Sequence, residues 1–250
     1  MKKAIFGLLC ILFAAPFAAA QAKTSGLPPI VDRDLIFGDP DIAGAQISPD
    51  GRYLAFLKPW HETRNIYVKA VDEPFSAARL LTTETKRPVA GYLWARDSKY
   101  IVYVKDHDGD ENFNVYAVDP AASPAPGADA PPSRDLTGLK GVRVMLYAAP
   151  KSDPDALYIG INDRDKAWHD LYKVKISTGE KTLIRKNTDR ITGWSFDNKD
   201  QLRLAIRNAP DGDTEILRVD PDKLSPIYSC NVFESCGPLH FLPDNSEVYL

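Results

Sequence analysis

Residues able to do difficult chemistry are scarce. Only four histidines, three cysteines and two methionines occur in 250 residues. His61, His107, His169 and His240 are far apart and share no metal-ligand spacing, so a histidine-based metal centre is not expected. No glycine-rich phosphate loop is present, which argues against a nucleotide cofactor. Nor is there a Gly-x-Ser-x-Gly string, the strained turn that exposes a nucleophilic serine. The nearest approach, Gly193-Trp-Ser-Phe-Asp197, lacks the final glycine. No basic excess exists either: 31 Lys and Arg face 34 Asp and Glu, a formal charge of −3. Nucleic acid is therefore not an expected partner. On these grounds no catalytic, cofactor-binding or metal-binding residue is assigned in this chain.

The apolar runs are also too short to span a bilayer, which takes about 20 residues. The one exception in character is the first segment. Lys2 and Lys3 precede an apolar stretch from Ala4 to Ala15, Pro16 breaks it, and Ala18-Ala-Ala20 or Ala20-Gln-Ala22 offers a small-x-small cleavage pattern. This reads as a signal peptide over 1–22 that is cleaved on export to the periplasm or medium, leaving no membrane anchor. Cys10 leaves with it. Cys230 and Cys236 remain as an even pair in a chain addressed to an oxidising compartment. A disulfide across that short turn is expected; two free thiols or a metal pair are the alternatives, though no second Cys or His pair stands nearby.

What is abundant is a repeat. Tyr53-Leu-Ala-Phe56, Tyr100-Ile-Val-Tyr103, Ala156-Leu-Tyr-Ile159, Gln201-Leu-Arg-Leu204 and Glu247-Val-Tyr-Leu250 start 47, 56, 45 and 46 positions apart. Each follows a turn built of Asp, Asn, Ser, Pro, Lys or Gly, as in Ser48-Pro-Asp-Gly51 and Asp197-Asn-Lys-Asp200. A second strand follows each core (Asn65–Val68, Asn114–Ala117, Asp170–Lys173, Glu215–Arg218). A third follows in three units (Arg79–Thr82, Arg134–Thr137, Lys181–Ile184), and a lead strand precedes the later turns (Gly91–Trp94, Val144–Tyr147, Thr192–Ser195). Four short strands per 40–50 residues are the signature of β-propeller blades. A sandwich need not repeat at constant spacing. The expected fold is all-β: about four complete four-stranded blades and part of a fifth over 46–250, truncated before closure. A lead-in over 23–45 is expected to hold one short helical turn between Arg33 and Ala45. The long second repeat is explained by a swollen, Pro- and Ala-rich loop over 119–132 inside blade 2.

Two clusters invite a functional reading. Asp106-His-Asp-Gly-Asp-Glu-Asn112 resembles the opening of a calcium loop, but its glycine is fourth rather than sixth and Ala117 stands where the closing Glu belongs. It reads as a solvated hairpin loop, with Asn162–Asp165 and Asn208–Asp213 as its counterparts. Trp94, Tyr147, Trp194 and Phe241 recur at similar points of their units and read as packing between blades. The histidines read as loop or surface residues.

In order along the chain, Arg33-Asp-Leu-Ile-Phe-Gly38, Gln46-Ile-Ser-Pro-Asp-Gly-Arg-Tyr-Leu-Ala-Phe56, Gly109-Asp-Glu-Asn112 with Val115-Tyr-Ala-Val-Asp119, Asn162-Asp-Arg-Asp165 with His169-Asp-Leu-Tyr172, and Cys230 to Cys236 with Gly237-Pro238 resemble the propeller of prolyl oligopeptidase-family serine peptidases. The acylaminoacyl-peptidase and dipeptidyl-aminopeptidase branch is the nearest in pattern. The resemblance implies that the propeller gates access and selects oligopeptide substrates for a C-terminal α/β-hydrolase domain bearing a Ser-Asp-His triad. None of the triad positions occurs here. The alternative is a periplasmic TolB-like propeller that binds protein partners without catalysis.

Overall fold

The structure, a computed structural model, describes residues 30–38 and 40–250. The expected signal peptide lies outside the described residues. The chain divides into two units, Met1–Pro40 and Asp41–Leu250. Within the first, α1 (Arg33–Phe37) is a single short helix. Asp32 caps it by accepting the Asp34 N–H at 3.0 Å, and the Gly38 N–H closes it on the Asp34 carbonyl at 2.8 Å.

The second unit is built of antiparallel sheets in strict sequence order. Blade 1 comprises β1 (Ala43–Ile47), β2 (Tyr53–Trp60), β3 (Thr63–Ala70) and β4 (Arg79–Leu80). Blade 2 comprises β5 (Gly91–Trp94), β6 (Ile101–Lys105), β7 (Asn114–Val118) and β8 (Ser133–Asp135). Blade 3 follows with β9 (Val144–Ala148), β10 (Ala156–Asp165), β11 (Trp168–Lys175) and β12 (Lys181–Arg185). Blade 4 has β13 (Ile191–Phe196), β14 (Leu202–Asn208), β15 (Thr214–Val219) and β16 (Leu224–Cys230), and β17 (His240–Phe241) pairs with β18 (Val248–Tyr249) beyond it. The swollen loop 119–132 lies inside blade 2, since β7 and β8 still pair on either side of it.

Period-two alternation puts a core on both faces of each blade. In blade 2, Ile101, Tyr103, Tyr116 and Val118 pack with Ala55, Ile66, Val68 and Leu81 of blade 1. Their neighbours Val102, Val115 and Ala117 pack instead with Leu157, Ile159, Ile161 and Val174 of blade 3. The next interfaces join Leu171 to Trp194, Ala205 and Leu217, and then Leu204 and Ile216 to Phe241. Trp94, Trp194 and Phe241 are buried in these seams and Tyr147 packs against one, as their spacing predicts.

Polar stitches run in parallel with the cores. The turn residues do more than turn: the Asp50 N–H donates to Ser98 Oγ at 3.1 Å, Arg96 Nε to the Ala149 carbonyl at 3.2 Å, the Ser152 N–H to Asp200 Oδ2 at 2.7 Å, and the Asn198 N–H to Asn245 Oδ1 at 3.0 Å. Each bond joins one blade to the next. Between blades 1 and 2, the Tyr92 hydroxyl reaches the carbonyls of Gly44 and Ala55, and Trp94 Nε1 donates to the Gln46 carbonyl. Gly44 has a φ of +58°, which lets β1 bend toward that hydroxyl. Removing the hydroxyl in Tyr92→Phe is expected to cost about 1 kcal/mol in urea denaturation; an unchanged midpoint would mean that packing alone holds this seam.

At the start of each third strand a carbonyl receives the segment that leads onward. The Arg64 carbonyl accepts from Val89 N–H at 3.1 Å, that of Phe113 from Val144 N–H at 2.8 Å, and that of His169 from Asn187 Nδ2 at 3.3 Å. One residue further on, in blades 1 and 3, a buried side chain clamps the same connection, whereas Asn114 of blade 2 donates only to the Asn112 carbonyl and leaves its Oδ1 without a partner. Asn65 makes four hydrogen bonds, to Thr63, Thr82 and both backbone groups of Glu84. Asp170 accepts from Arg164 and from the Asn187 N–H. In blade 4 that position is Glu215, which turns to Arg207 instead. There the connection is held covalently: Cys230, paired with Thr214 across the ladder, is bonded to Cys236, whose sulfur lies 4.0 Å from the Thr214 carbonyl.

Candidate functional site

Two sequence readings need correction. Asn162–Asp165 is not a loop: β10 runs through Asp165 and reverses tightly into β11, because Arg164 folds back to Asp170 at 2.6 Å. His169 is not a surface residue. It sits in β11, half-buried, and its Nε2 is buried without a hydrogen-bond partner. Burial first, and the charge of Arg143 second, push its pKa below the ordinary histidine value. Its Cβ and the Tyr147 ring both crowd Gly160, where a methyl group would sit within 2.9 Å of each. The other histidines lie where expected of turn and edge residues: His61 at a turn against Trp60, His107 in the β6–β7 loop, and His240 in β17 against Tyr249.

The acidic loop after β6 closes on itself. Asp110 accepts from the N–H groups of His107 and Asn112, with the Asn112 side chain holding its carboxyl below the usual range. Asp108 pairs with Lys86, and buried Asp106 accepts from the Glu111 N–H. The carboxylates thus point at separate donors. Among the described residues, no group of three or more His, Cys, Asp or Glu is placed to hold a metal ion. Ser195 lies within β13, paired with Leu204 just before a register shift, and not on an exposed turn.

A concavity with a mostly apolar lining lies between blades 2 and 3, where β5 faces β9. It holds about 350 Å³ and is walled by Tyr92, Leu93, Val104, Met145 and Leu146, with Phe113 and Arg143 at its rim. Two backbone bonds fix that rim. The Val144 N–H donates to the Phe113 carbonyl, and the Arg143 N–H donates to Asn162 Oδ1 at 2.7 Å. The Arg143 guanidinium then lies over the Phe113 ring, 5.9 Å from its centre. Among the described residues, no carboxylate comes within ion-pair distance of it. Most other arginines near the hairpins are committed, Arg164 to Asp170, Arg203 to Asp197 and Arg207 to Glu215. Sequence reasoning missed this site because Phe113 and Arg143 are 30 positions apart and neither belongs to a motif; only the blade-to-blade register joins them.

Sheets of four antiparallel strands, stacked face to face through shared cores, make this a β-propeller. No protein-family model matches the chain. It is 35% identical to dipeptidyl aminopeptidase BIII of Pseudoxanthomonas mexicana, over 83% of its own length and 30% of that protein. Dipeptidyl peptidase family member 6 of Caenorhabditis elegans is 29% identical over 74% of the chain and 24% of that protein. Prolyl oligopeptidase B from Galerina marginata superimposes with a TM-score of 0.52 at 12% identity, over 73% of this chain and 28% of that one, a likeness of fold alone. The chain matches the N-terminal propeller portion of prolyl oligopeptidase-family serine peptidases. It spans less than a third of the curated relatives it resembles.

Proposed function

We propose that this chain is the substrate-selecting propeller of an exported serine peptidase that hydrolyses oligopeptides. The observation that carries the reading is the 35% identity to a dipeptidyl aminopeptidase, sustained over 83% of the chain. Within that reading, residues 1–22 are a cleaved signal, 23–45 a lead-in and 46–250 the propeller. The hydrolytic serine, aspartate and histidine belong to a separate hydrolase domain, with the serine activated by the histidine. The propeller's share of the work is steric and electrostatic: it limits entry to short peptides and presents the rim of the cavity between β5 and β9 to them. Export accords with the Cys230–Cys236 bond, since disulfides persist in oxidising compartments.

The test uses the product of the intact gene. It is expected in the periplasmic or culture fraction, shortened at its N-terminus, hydrolysing short peptides and labelled by a fluorophosphonate. A product that stays in the cytoplasm, takes up no label and leaves such peptides whole would overturn the proposal.

A further inference from the structure

We propose that the cavity between β5 and β9 binds the free C-terminal carboxylate of a short peptide, with the apolar side chain of the peptide's last residue seated against its wall. The inference deepens the peptide-substrate reading above and rests on it. Four observations lead there. Arg143 presents a guanidinium at the rim, and no carboxylate of the described residues answers it. Phe113 flanks that group, its ring centre 5.9 Å from the guanidinium carbon, and no described residue accepts from the guanidinium N–H donors, which match a carboxylate in a two-point fork. The wall behind it is apolar, formed by Leu93, Val104, Met145 and Leu146. Finally, the volume of about 350 Å³ is near the lower end for small-molecule sites, enough for one or two residues and not for a long chain.

The pairing of one cation with an apolar wall selects among anions. A phosphate carries nearly two charges and three strong acceptors, and it would call for more donors than a single arginine. An aspartate or glutamate side chain keeps its carboxylate at the tip, with polar backbone behind it. Among the groups a peptide offers, only its C-terminal residue carries a carboxylate and an apolar side chain on the same carbon, so that one enters the fork while the other meets Leu146 and Met145. Met145 adds an adaptable surface that tolerates side chains of different shape. The rim is preorganised by the bonds from Val144 to Phe113 and from Arg143 to Asn162, so little ordering is needed on binding.

The probes are N-acetyl-leucine and N-acetyl-leucinamide, which differ in charge but hardly in shape. They are titrated calorimetrically into the intact gene product. The acid is expected to bind about tenfold or more tightly than the amide, the gain of a charge-assisted two-point contact. In Arg143→Gln the acid is expected to weaken to the level of the amide, while the amide is unchanged. Equal binding of acid and amide by the unaltered protein would overturn the site, and so would an acid affinity that survives Arg143→Gln in a variant with an unchanged melting curve. Neither probe contains a bond between two amino-acid residues, and titrating after fluorophosphonate treatment removes any turnover of the amide, so the two readings fail separately. A protein without peptidase activity that still prefers the acid would sink the enzymatic reading alone. One that hydrolyses peptides but does not discriminate the probes would sink this site alone.

Discussion

Replacing Asp170 by alanine is expected to be the most damaging single change in blade 3, costing about 3 kcal/mol or more in denaturant unfolding. Its side chain is only 2% exposed and serves three donors: Arg164 Nε and Nη2, and the Asn187 N–H. Truncation leaves that N–H unsatisfied in a buried place and frees the arginine that holds the β10–β11 reversal. Arg164 is 38% exposed and can turn to water, which keeps the cost toward the low end of the range for a broken buried pair. The same contacts set a pH dependence. Hydrogen bonding from Arg164 holds the Asp170 pKa below its ordinary 3.8, with burial opposing and Asn187 adding to the effect. The folded form therefore prefers the carboxylate. This contribution is complete above the unfolded pKa near 3.8 and is lost as the pH falls below it through the folded value. Denaturation curves from about pH 5 down to about pH 2, the range over which a carboxylate with a lowered pKa takes up its proton, should show the acid-side loss in the parent and a smaller one in Asp170→Ala. Equal losses would show that Asp170 does not carry this dependence.

The second large effect is expected at the disulfide. Cys236→Ala should destabilise the protein by about 2 kcal/mol, the chain-entropy value for so short a loop. Reductant should lower the parent to the level of the variant and leave the variant unmoved. Cys230 is buried and blade 4 has no amide or aspartate clamp of the kind seen at Asn65 and Asp170, so loss of the bond leaves the segment held by the packing of Cys236 against Leu204, Ile216 and Phe241. Two thiols titrating in the folded, unreduced protein would contradict the bond itself.

The strand pattern was legible because each blade is buried on both faces and each turn is marked by residues with their own backbone preferences. Cores such as Tyr53–Phe56 and Ala156–Ile159 fall inside β2 and β10. The outer strand of blade 4, Leu224–Cys230, was not legible: it is interrupted by Pro226 and half of it is solvent-facing, so no apolar alternation marks it. Asn162–Asp165 was misread for a related reason. Its composition is that of a turn, and contacts from outside the segment keep it extended: the ion pair of Arg164 with Asp170, the bonds between Asn162 and Arg143, and the pairing of Asp165 with Trp168. His169 is half-buried where its Cβ lies close over Gly160 of the neighbouring strand, a diagonal contact that no local pattern encodes. The Arg143–Phe113 rim was invisible for the same cause at larger scale: it depends on the seam between two blades.

The stitches between successive turns join residues 48, 53, 48 and 47 positions apart. The one departure, 53, spans the blade that carries the 119–132 loop. The ends of that loop are anchored, with Pro120 and Pro131 buried and the Pro120 carbonyl accepting from Arg79, so the exposed stretch 123–129 between them is where residues can be added with least effect on the pairing of β7 and β8. For anyone wishing to carry a tag, a reporter or an epitope on this scaffold, the loop is the natural place to splice it, and for a lineage under selection it is where length can drift without altering the rim at Arg143.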